Sequence, residues 1–394
     1  MTGNEAGYLT NRSGKRKRNQ APSHYFDYNL LFLIVLLMML GLLMLYSTSA
    51  YSAEIKFGDG AYYFKKQLIF AIAGFIVMMI ITFMDYHLFK LVANISMVFA
   101  ILLMLLVRVP GFGVVRNGAL RWLKLGPITF QPSEVAKIAI ILFMAYWLNK
   151  WGKGIATLKR TGLLFLVATL TAGIVFVFTD NLSTAIIVFG MACVMIFIAH
   201  PKTWPFVLIA IVAVAAIGGG IYLLYQIGGS SDNFRIGRIM TWLEPEKYAD
   251  TTAYQSMQAL YAIGSGGAFG TGLGESAQKM IIPEAQNDMI FSIICEEMGI
   301  FGAVIIIFLF VVMLYRFVYI ARNAPDLFGG LLVTGVFAHI AIQVVLNIGV
   351  VTGMLPTTGI TLPFISYGGT SVMFLMMEMG IALSVSRKIE FKYS

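Results

Sequence analysis

Uninterrupted apolar runs recur along the chain from about residue 28 to near its end. A helix needs about 20 apolar residues to cross the hydrocarbon core of a membrane, and most of the runs are long enough. Polar and glycine-rich stretches separate them, and no strong internal repeat relates them. The pattern predicts ten transmembrane helices, near residues 28–48, 67–84, 88–107, 134–150, 161–179, 183–199, 204–227, 288–316, 328–352 and 364–386.

The amino-acid composition agrees with a membrane protein. Apolar residues make up 59% of the 394 residues and charged residues 12%, whereas a soluble domain has about 45–50% and about 25%. These values exclude a soluble enzyme, a disordered chain and a fibrous protein. Cys193 and Cys295 both lie in apolar runs, which excludes a disulfide framework and a cysteine-based zinc site. We predict an all-α integral membrane protein of about ten transmembrane helices.

The net charge of +9 reflects orientation in the membrane. Lys and Arg gather on the cytoplasmic side of membrane proteins, so both termini are predicted to be cytoplasmic, and nothing indicates nucleic acid as a partner. The predicted organisation is a basic tail (1–27), a ten-helix membrane domain (28–387) and a short tail (388–394). The basic residues that flank the membrane domain are Arg12, Lys15, Arg16, Lys17, Arg18, Arg387, Lys388 and Lys392.

Two of the predicted outer connections are long. They are residues 108–133, and residues 228–287 between helices 7 and 8. Long connections in a compact protein are usually functional or disordered. The second connection is of varied composition, with Trp242, several tyrosines and a glycine run. We expect a large extracytoplasmic loop that folds over the outer face.

The first segment with candidate chemistry leads into the fourth span. Pro132 suits the first turn of a helix. Ser133 and Glu134 then share one face with Lys137, because they precede it by four and three residues. A lysine one turn inside a span is costly unless it faces a partner or a wet cavity.

Basic residues crowd the connection before this span, against the positive-inside trend. Together with Lys137 they suit a phosphate or diphosphate group, since arginine gives a forked contact and lysine a point charge. An alternative of equal weight is that Glu134 only neutralises Lys137 while the basic residues of the connection bind lipid headgroups. These residues are Arg108, Arg116, Arg121 and Lys124.

A glycine-rich stretch, Gly264–Gly274, is followed by Gln278 and Lys279. It lacks the Gly-Lys-Ser/Thr ending and the strand–turn–helix setting of a nucleotide-binding loop. A tight loop whose glycines adopt positive φ explains it better. Close approach to some other anion stays open.

Acidic residues mark the start of the eighth span. If Pro283 occupies the first helical turn, Glu284 and Asp288 share one face, and the helix dipole favours an ionised Asp288. An ionised aspartate beside a wet cavity can take a proton from a sugar hydroxyl, which is general-base catalysis. The alternative is that Glu284 and Asp288 only stabilise the helix N-terminus. Glu296 and Glu297 lie deeper and are interpreted as structural, because buried carboxylates usually pair or stay neutral.

Prolines and glycines interrupt the apolar sequence over Asn347–Ser371, between the last two spans. Broken backbone at membrane depth is tolerated where protein or a cavity satisfies it. We expect a re-entrant segment that is either a wall of the outer cavity or a plain turn. His339 and Gln343 lie one turn apart on the preceding helix and are interpreted as a helix–helix hydrogen bond.

Three of these blocks together resemble the SEDS family of bacterial cell-wall proteins (shape, elongation, division and sporulation). The resemblance covers about residues 28–387. The sequence Thr-Gly-Met-Leu-Pro-Thr-Thr-Gly at 352–359 is more similar to division members than to elongation members. The blocks are NGALRWLKLGPITFQPSEVAK (117–137), GTGLGESAQKMIIPEAQNDMIFSIICEE (270–297) and NIGVVTGMLPTTGITLPFISYGGTS (347–371).

The resemblance implies a ten-span glycosyltransferase that polymerises lipid II into glycan strands outside the cytoplasmic membrane. The family's catalytic aspartate, in a Pro-Glu-Ala-x-x-Asp block, falls on Asp288, and its basic substrate contacts fall on Arg121 and Lys137. The resemblance also implies a class B penicillin-binding protein and other division proteins as partners, a place at the division septum, and in some members help from a divalent cation (Mg or Mn). One departure is Asp180-Asn181, where the family often has Pro-Asp, so Asp180 is not predicted to act.

We predict Asp288 as the general base. A lipid II flippase and a structural scaffold for division proteins remain alternative functions. The basic residues gather at the outer rim rather than along a path through the membrane, which favours chemistry over flipping. The residues predicted to bind the substrate are Arg121, Lys137, Glu134, Ser133, Gln131, Lys279, Gln278 and Ser366.

Overall fold

The computed structural model describes residues 23–116, 119–126, 128–226, 234–249, 251 and 253–391. Most of the basic N-terminal tail therefore lies outside the described residues. Twelve α-helices lie within them. They are α1 (Tyr28–Phe57), α2 (Tyr62–Phe83), α3 (Phe89–Leu106), α4 (Pro132–Trp151), α5 (Leu158–Thr179), α6 (Leu182–Ala199), α7 (Trp204–Gln226), α8 (Phe234–Leu243), α9 (Tyr254–Ser265), α10 (Ile290–Asn323), α11 (Leu327–Val351) and α12 (Thr370–Ser386).

The helices confirm an all-α membrane fold. Except for the short α8 and α9, each described helix coincides with one predicted span. Within the described residues, eight helices are long and apolar enough to cross a membrane. Of the ten helices that coincide with predicted spans, two lie outside this set: α4, which carries Glu134 and Lys137, and α12, which has 17 residues. The prediction of ten spans therefore stays a prediction for α4 and α12.

One end of the bundle carries the two long connections, and we call it the loop end. The opposite end joins the two ends of the described chain. There β1 (Ser23–His24) pairs antiparallel with β5 (Glu390–Phe391). Asp27 caps α1 and accepts a hydrogen bond from Arg316 Nη2 at 2.6 Å. The start of α1 and the end of α12 therefore lie at the same end of the bundle. This is the geometry expected if both termini lie on one side of the membrane.

A small antiparallel sheet, absent from the sequence prediction, covers part of the loop end. Its strands β2 (Gly113–Arg116), β3 (Ala119–Leu125) and β4 (Ile128–Phe130) lie in the connection between α3 and α4, in the order β2-β3-β4. Leu123 of β3 is fully buried against Leu103 and Val107. This burial anchors the sheet on the end of α3 and fixes β3 over the helices.

The start of the eighth span differs from the prediction. Helix α10 begins at Ile290, so Pro283 is not in a helical turn, and Glu284 and Asp288 do not share a helix face. Tertiary hydrogen bonds replace the helical ones. The Gln286 carbonyl accepts from the Tyr367 N–H at 2.9 Å, and the Asp288 carbonyl accepts from Asn347 Nδ2 at 2.8 Å.

Close backbone contacts explain two of the glycines in this region. Helix α10 is kinked at Gly299, whose φ is +67°. A Cβ atom there would lie 2.4 Å from the Ala268 carbonyl oxygen, and one on Gly270 would lie 2.2 Å from the Glu297 carbonyl oxygen. The glycine-rich stretch therefore packs backbone to backbone on α10, as the tight-loop interpretation expects.

The segment between α11 and α12, residues 352–369, is irregular, as predicted for a re-entrant segment, and its stretch 362–366 is buried. Gly41 of α1 packs against it so closely that a Cβ would lie 2.3 Å from the Phe364 carbonyl oxygen. Gln67 of α2 donates to the Ser366 carbonyl at 3.3 Å and accepts from the Gly369 N–H at 3.1 Å. Neighbouring helices thus satisfy the broken backbone, which is what makes it tolerable inside the bundle.

The described part of the connection between α7 and α10 folds onto this segment at the loop end. From α8, Trp242 Nε1 donates to the Gly353 carbonyl at 2.8 Å, and Arg238 Nη1 donates to the Thr357 carbonyl at 3.1 Å. Helix α9 packs against α10 and α11. The described part of this connection is therefore a structured cover over the re-entrant segment.

Candidate functional site

The structure divides the predicted site residues into three groups. Asp288 lies at the loop end together with Arg121. Lys137 and Glu134 lie in an interior cavity, where Ser366 also forms part of the wall. Lys279 lies against the start of α10.

Asp288 sits between several secondary-structure elements. It is half-buried, and its carboxylate lies 3.9 Å from where a Cβ on Gly359 would be. Asn347 Nδ2 donates to the Asp288 carbonyl at 2.8 Å and to the Ile360 carbonyl at 2.7 Å. Asp288 is therefore held against the 356–360 stretch of the re-entrant segment.

The outer group includes a residue that the sequence analysis missed, Arg238 of α8. It interacts electrostatically with both Asp288 and Arg121. The signal that could have found it is the same one that pointed to Arg121, namely an arginine in an outer connection against the positive-inside trend. Arg121, on β3, reaches the end of α5 by donating from Nη2 to the carbonyl of Asp180, the residue that follows this helix.

Burial and charge act in opposite directions on the carboxyl group of Asp288. Burial raises its pKa, and the neighbouring Glu284 raises it further, while a hydrogen bond from its own backbone and the charge of Arg238 lower it. The net result is a pKa above the ordinary aspartate value. A base with a raised pKa accepts a proton more readily, provided that it is ionised at the working pH.

The interior cavity holds a second group of charged residues. Lys137 Nζ and Glu134 Oε2 are 2.9 Å apart, on successive turns of α4, and both side chains are almost fully buried. This is the ion pair that the alternative interpretation of Glu134 expects. The cavity has a volume of about 30 Å³, room for about one or two water molecules.

His339 and Glu378 form a second acid–base pair in the wall of the same bundle interior. His339 Nδ1 lies 2.6 Å from Glu378 Oε2, which joins α11 to α12. Gln343, one turn along α11, donates to the Thr361 carbonyl at 2.9 Å. The predicted helix–helix hydrogen bond is confirmed for His339, whose partner is Glu378 of α12, whereas Gln343 binds the re-entrant segment.

The third group locks the glycine-rich stretch to α10. Lys279 Nζ lies 3.4 Å from Glu297 Oε1 and also donates to the Gly274 carbonyl. Glu296 accepts hydrogen bonds from Ser276 Oγ and from the Gln278 N–H. The ammonium group of Lys279 is thus engaged within this loop, away from the contacts of Asp288.

The remaining predicted residues support the backbone. Gln131 precedes α4, and its carbonyl accepts from the Glu134 N–H at 3.0 Å. Ser133 is fully buried beside it. The Ser366 hydroxyl accepts from the Leu362 N–H at 2.7 Å and closes a turn of the re-entrant segment. These contacts position the wall of the interior cavity.

The donors around Asp288 do not suit a divalent cation. Mg²⁺ and Mn²⁺ prefer several oxygen ligands, and the described residues contain no cluster of three or more His, Cys, Asp or Glu. Asp288 instead faces the positive charge of Arg238.

The fold and this site define a multi-span membrane protein with an acidic group and two arginines at one end of its bundle. The family model described as "Cell cycle protein", of the FtsW, RodA and SpoVE type, matches residues 28–390. This chain belongs to that family, which confirms the family predicted from the sequence.

Curated relatives agree. The chain is 40% identical to stage V sporulation protein E of Bacillus subtilis, over 92% of this chain and 97% of that protein. It is 36% identical to the probable peptidoglycan glycosyltransferase FtsW of Trichlorobacter lovleyi, over 92% of this chain and 93% of that protein. It is also 36% identical to the FtsW of B. subtilis, over 93% of this chain and 92% of that protein. A sporulation protein and proteins named FtsW are both among these relatives, so a role in division stays a prediction.

Solved structures match over most of the chain. A chain from a peptidoglycan synthase complex that coordinates polymerization and crosslinking has a TM-score of 0.76 at 26% identity, covering 92% of this chain and 98% of that one. The rod shape determining protein RodA of Thermus thermophilus has a TM-score of 0.67 at 26% identity, covering 92% of this chain and 97% of that one.

Proposed function

We infer that the chain is a peptidoglycan glycosyltransferase that polymerises lipid II into β-1,4 glycan strands at the outer face of the bacterial cytoplasmic membrane. The relatives named as probable peptidoglycan glycosyltransferases support the activity. The observation that carries the mechanism is the half-buried Asp288 at the loop end, with Arg238 and Arg121 in electrostatic reach of one another beside it.

In the proposed reaction, Asp288 takes the proton from the 4-hydroxyl of the acceptor sugar. The oxygen attacks the anomeric carbon of the donor, the bond to the diphosphate breaks, and the polyprenyl diphosphate leaves with the bonding electrons. A single displacement converts the α-linked donor into a β-1,4 bond. General-base assistance of this kind contributes about 10²–10⁴-fold to the rate.

Charge develops on the departing diphosphate, and cations around it stabilise that charge. Arg121, at the loop end, is the best-placed predicted contact, since the fork of N–H donors of a guanidinium matches the oxygens of a phosphate group. Lys137 would have to part from Glu134 to contribute directly. Lys279 would have to leave Glu297.

The polyprenyl tail needs an apolar path beside the site. A cavity of about 330 Å³ lies between the loop-end part of α7 and α8. Its lining is mostly apolar and aromatic, and it includes Tyr222, Tyr225 and Leu243. We propose that the tail lies here while the sugar and diphosphate enter the loop end.

Orientation and partners follow from the same proposal. The paired ends of the described chain support termini on one side, and the positive-inside rule makes that side cytoplasmic. A class B penicillin-binding protein is the proposed crosslinking partner, because a solved neighbour belongs to a peptidoglycan synthase complex. We also propose that the protein acts at the division septum together with further division proteins.

The decisive variant is Asp288→Asn, which removes the base but keeps the size and the hydrogen-bonding backbone. We expect the purified protein, assayed with its partner, to lose at least about 10²-fold in polymerisation of labelled lipid II. Folding, measured by thermal unfolding in detergent, should be unchanged. Glu284→Gln, which removes the neighbouring carboxylate, is the matched control and should retain most of the activity.

Polymer formed at the normal rate by Asp288→Asn would refute the mechanism. The two alternative functions give different results in the same preparation. A flippase would move intact lipid II across vesicles whether or not polymer forms. A scaffold would tolerate simultaneous neutralisation of Asp288, Arg121 and Lys137.

A further inference from the structure

Arg238 lies on α8, which docks on the re-entrant segment near the proposed base. It donates from Nη1 to the Thr357 carbonyl at 3.1 Å. Two residues further on, Gly359 is the residue whose added Cβ would lie 3.9 Å from Asp288 Oδ2. The guanidinium and the carboxylate therefore flank the same short stretch of the re-entrant segment.

Helix α8 is docked firmly enough to hold the guanidinium there. One turn after Arg238, Trp242 Nε1 donates to the Gly353 carbonyl at 2.8 Å. Met240 and Thr241, between these two residues, are buried. The position of Arg238 is thus set by a buried helix rather than by a freely moving side chain on a loop.

The other described groups that act on the carboxyl group of Asp288 are acidic or neutral. Glu284, in the preceding turn, is acidic and opposes ionisation, while Gln255 of α9 donates a neutral hydrogen bond to the carboxyl group. From α11, Asn347 contacts only the Asp288 carbonyl. On the other side, Arg121 of β3 faces Arg238.

We propose that Arg238 is the counter-charge that keeps Asp288 ionised in the half-buried site, and that it thereby sets the lower pH limit of glycan synthesis. The inference rests on the proposed function, in which Asp288 is the general base. Arg238 is a positioning residue in this scheme, because it acts through Asp288. A carboxyl group withdrawn from water favours its neutral form, which cannot accept a proton, and a nearby cation reverses that preference.

The sign of the expected effect follows from the charges. Burial raises the pKa of Asp288 and Arg238 lowers it, so removal of Arg238 raises it further. Activity that needs the ionised carboxylate is then lost at a higher pH. An opposite charge at close range shifts a carboxyl pKa by about 1–3 units. The acid limb of the pH–activity profile, where activity falls as the carboxylate is protonated, should therefore move up by about one pH unit or more.

The test is the pH dependence of lipid II polymerisation by the purified full chain with its partner, for Arg238→Gln and Arg238→Lys. In Arg238→Gln the acid limb should move to higher pH. Activity should be about tenfold lower than that of the unsubstituted protein at pH values below the limb, and it should approach the unsubstituted rate at alkaline pH. Arg238→Lys keeps the charge, so its pH profile should lie close to that of the unsubstituted protein. Thermal unfolding of each variant checks that the fold is retained.

Two control variants separate charge from docking. Lys247→Gln removes an exposed positive charge from the same connection, and Trp242→Phe removes the second docking contact of α8 without changing any charge. Neither should move the acid limb. An unmoved limb in Arg238→Gln, with a raised KM, would overturn the proposal in favour of substrate binding.

An equal loss at every pH in Arg238→Gln and Trp242→Phe would overturn the proposal in favour of a structural role. The proposed function is tested separately. Activity in Asp288→Asn would refute that function, whereas inactive Asp288→Asn together with a normal pH profile in Arg238→Gln would overturn only the role of Arg238.

Discussion

Charged side chains are treated differently in the interior cavity and at the loop end. In the interior, Lys137 pairs with Glu134 at 2.9 Å and His339 with Glu378 at 2.6 Å, so each basic group has an acidic partner. At the loop end, Arg238 donates to the Thr357 carbonyl, and the half-buried Asp288 lies within electrostatic reach of this arginine.

The difference follows from the free energy of burying charge. A charge inside the bundle is costly unless a partner of opposite sign is within hydrogen-bonding distance. Arg238 and Asp288 at the loop end are only half-buried, so the cost of their charges is smaller. In the interior, the His339–Glu378 pair joins α11 to α12 and the Glu134–Lys137 pair neutralises charge within α4. The partly exposed charges of the loop end suit the proposed binding of substrate.

The largest expected effect comes from breaking an interior pair. Lys137→Met leaves Glu134 as an unpaired buried charge and should lower the free energy of unfolding by about 3–5 kcal/mol. Glu134→Gln should destabilise in the same direction. The midpoint of thermal unfolding in detergent measures both. Unchanged midpoints would show that the two side chains are solvated rather than paired.

The double variant Glu134→Gln/Lys137→Met decides between the two interpretations of this motif. It removes both charges, so most of the stability should return. If Lys137 also holds the diphosphate, the double variant is stable but polymerises lipid II poorly. If Glu134 only neutralises Lys137, the double variant is both stable and active.

A smaller effect is expected from disturbing the segment that lies between the two regions. Gly41→Ala places a Cβ 2.3 Å from the Phe364 carbonyl oxygen and should destabilise by about 1–3 kcal/mol while shifting the re-entrant segment. Polymerisation should fall together with stability. Gly173→Ala in α5 meets no atom within 4 Å and is the control, expected to be neutral or slightly stabilising. Equal behaviour of the two variants would argue against tight packing at Gly41.

The smallest effect is expected at the rim. Arg108 Nη2 lies 3.1 Å from Asp180 Oδ1, with 42% and 41% of the two side chains exposed. Asp180→Asn removes the ion pair and still tolerates the left-handed backbone at this position, where φ is +47°. Stability should change by about 1 kcal/mol or less, with glycan yield unchanged. A strong loss of yield would mean that Asp180 takes part in the reaction.

The sequence by itself determined the features that depend on local pattern. Apolar runs locate the long helices because crossing or filling the bundle requires an apolar stretch of a given length. Pro132 marks the start of α4, and the spacing of Glu134 and Lys137 puts them on one face, because helical geometry fixes both. The block around Asp288 identified the candidate base through its resemblance to the family.

Contacts between distant segments decided the rest. The residues before α10 stay out of the helix because Tyr367 and Asn347 bind their carbonyls. The predicted cationic site divides into three groups because Lys137 and Lys279 each meet a carboxylate within the fold. Arg238 reaches Asp288 only because α8 docks on the re-entrant segment, an arrangement that no spacing along the chain encodes.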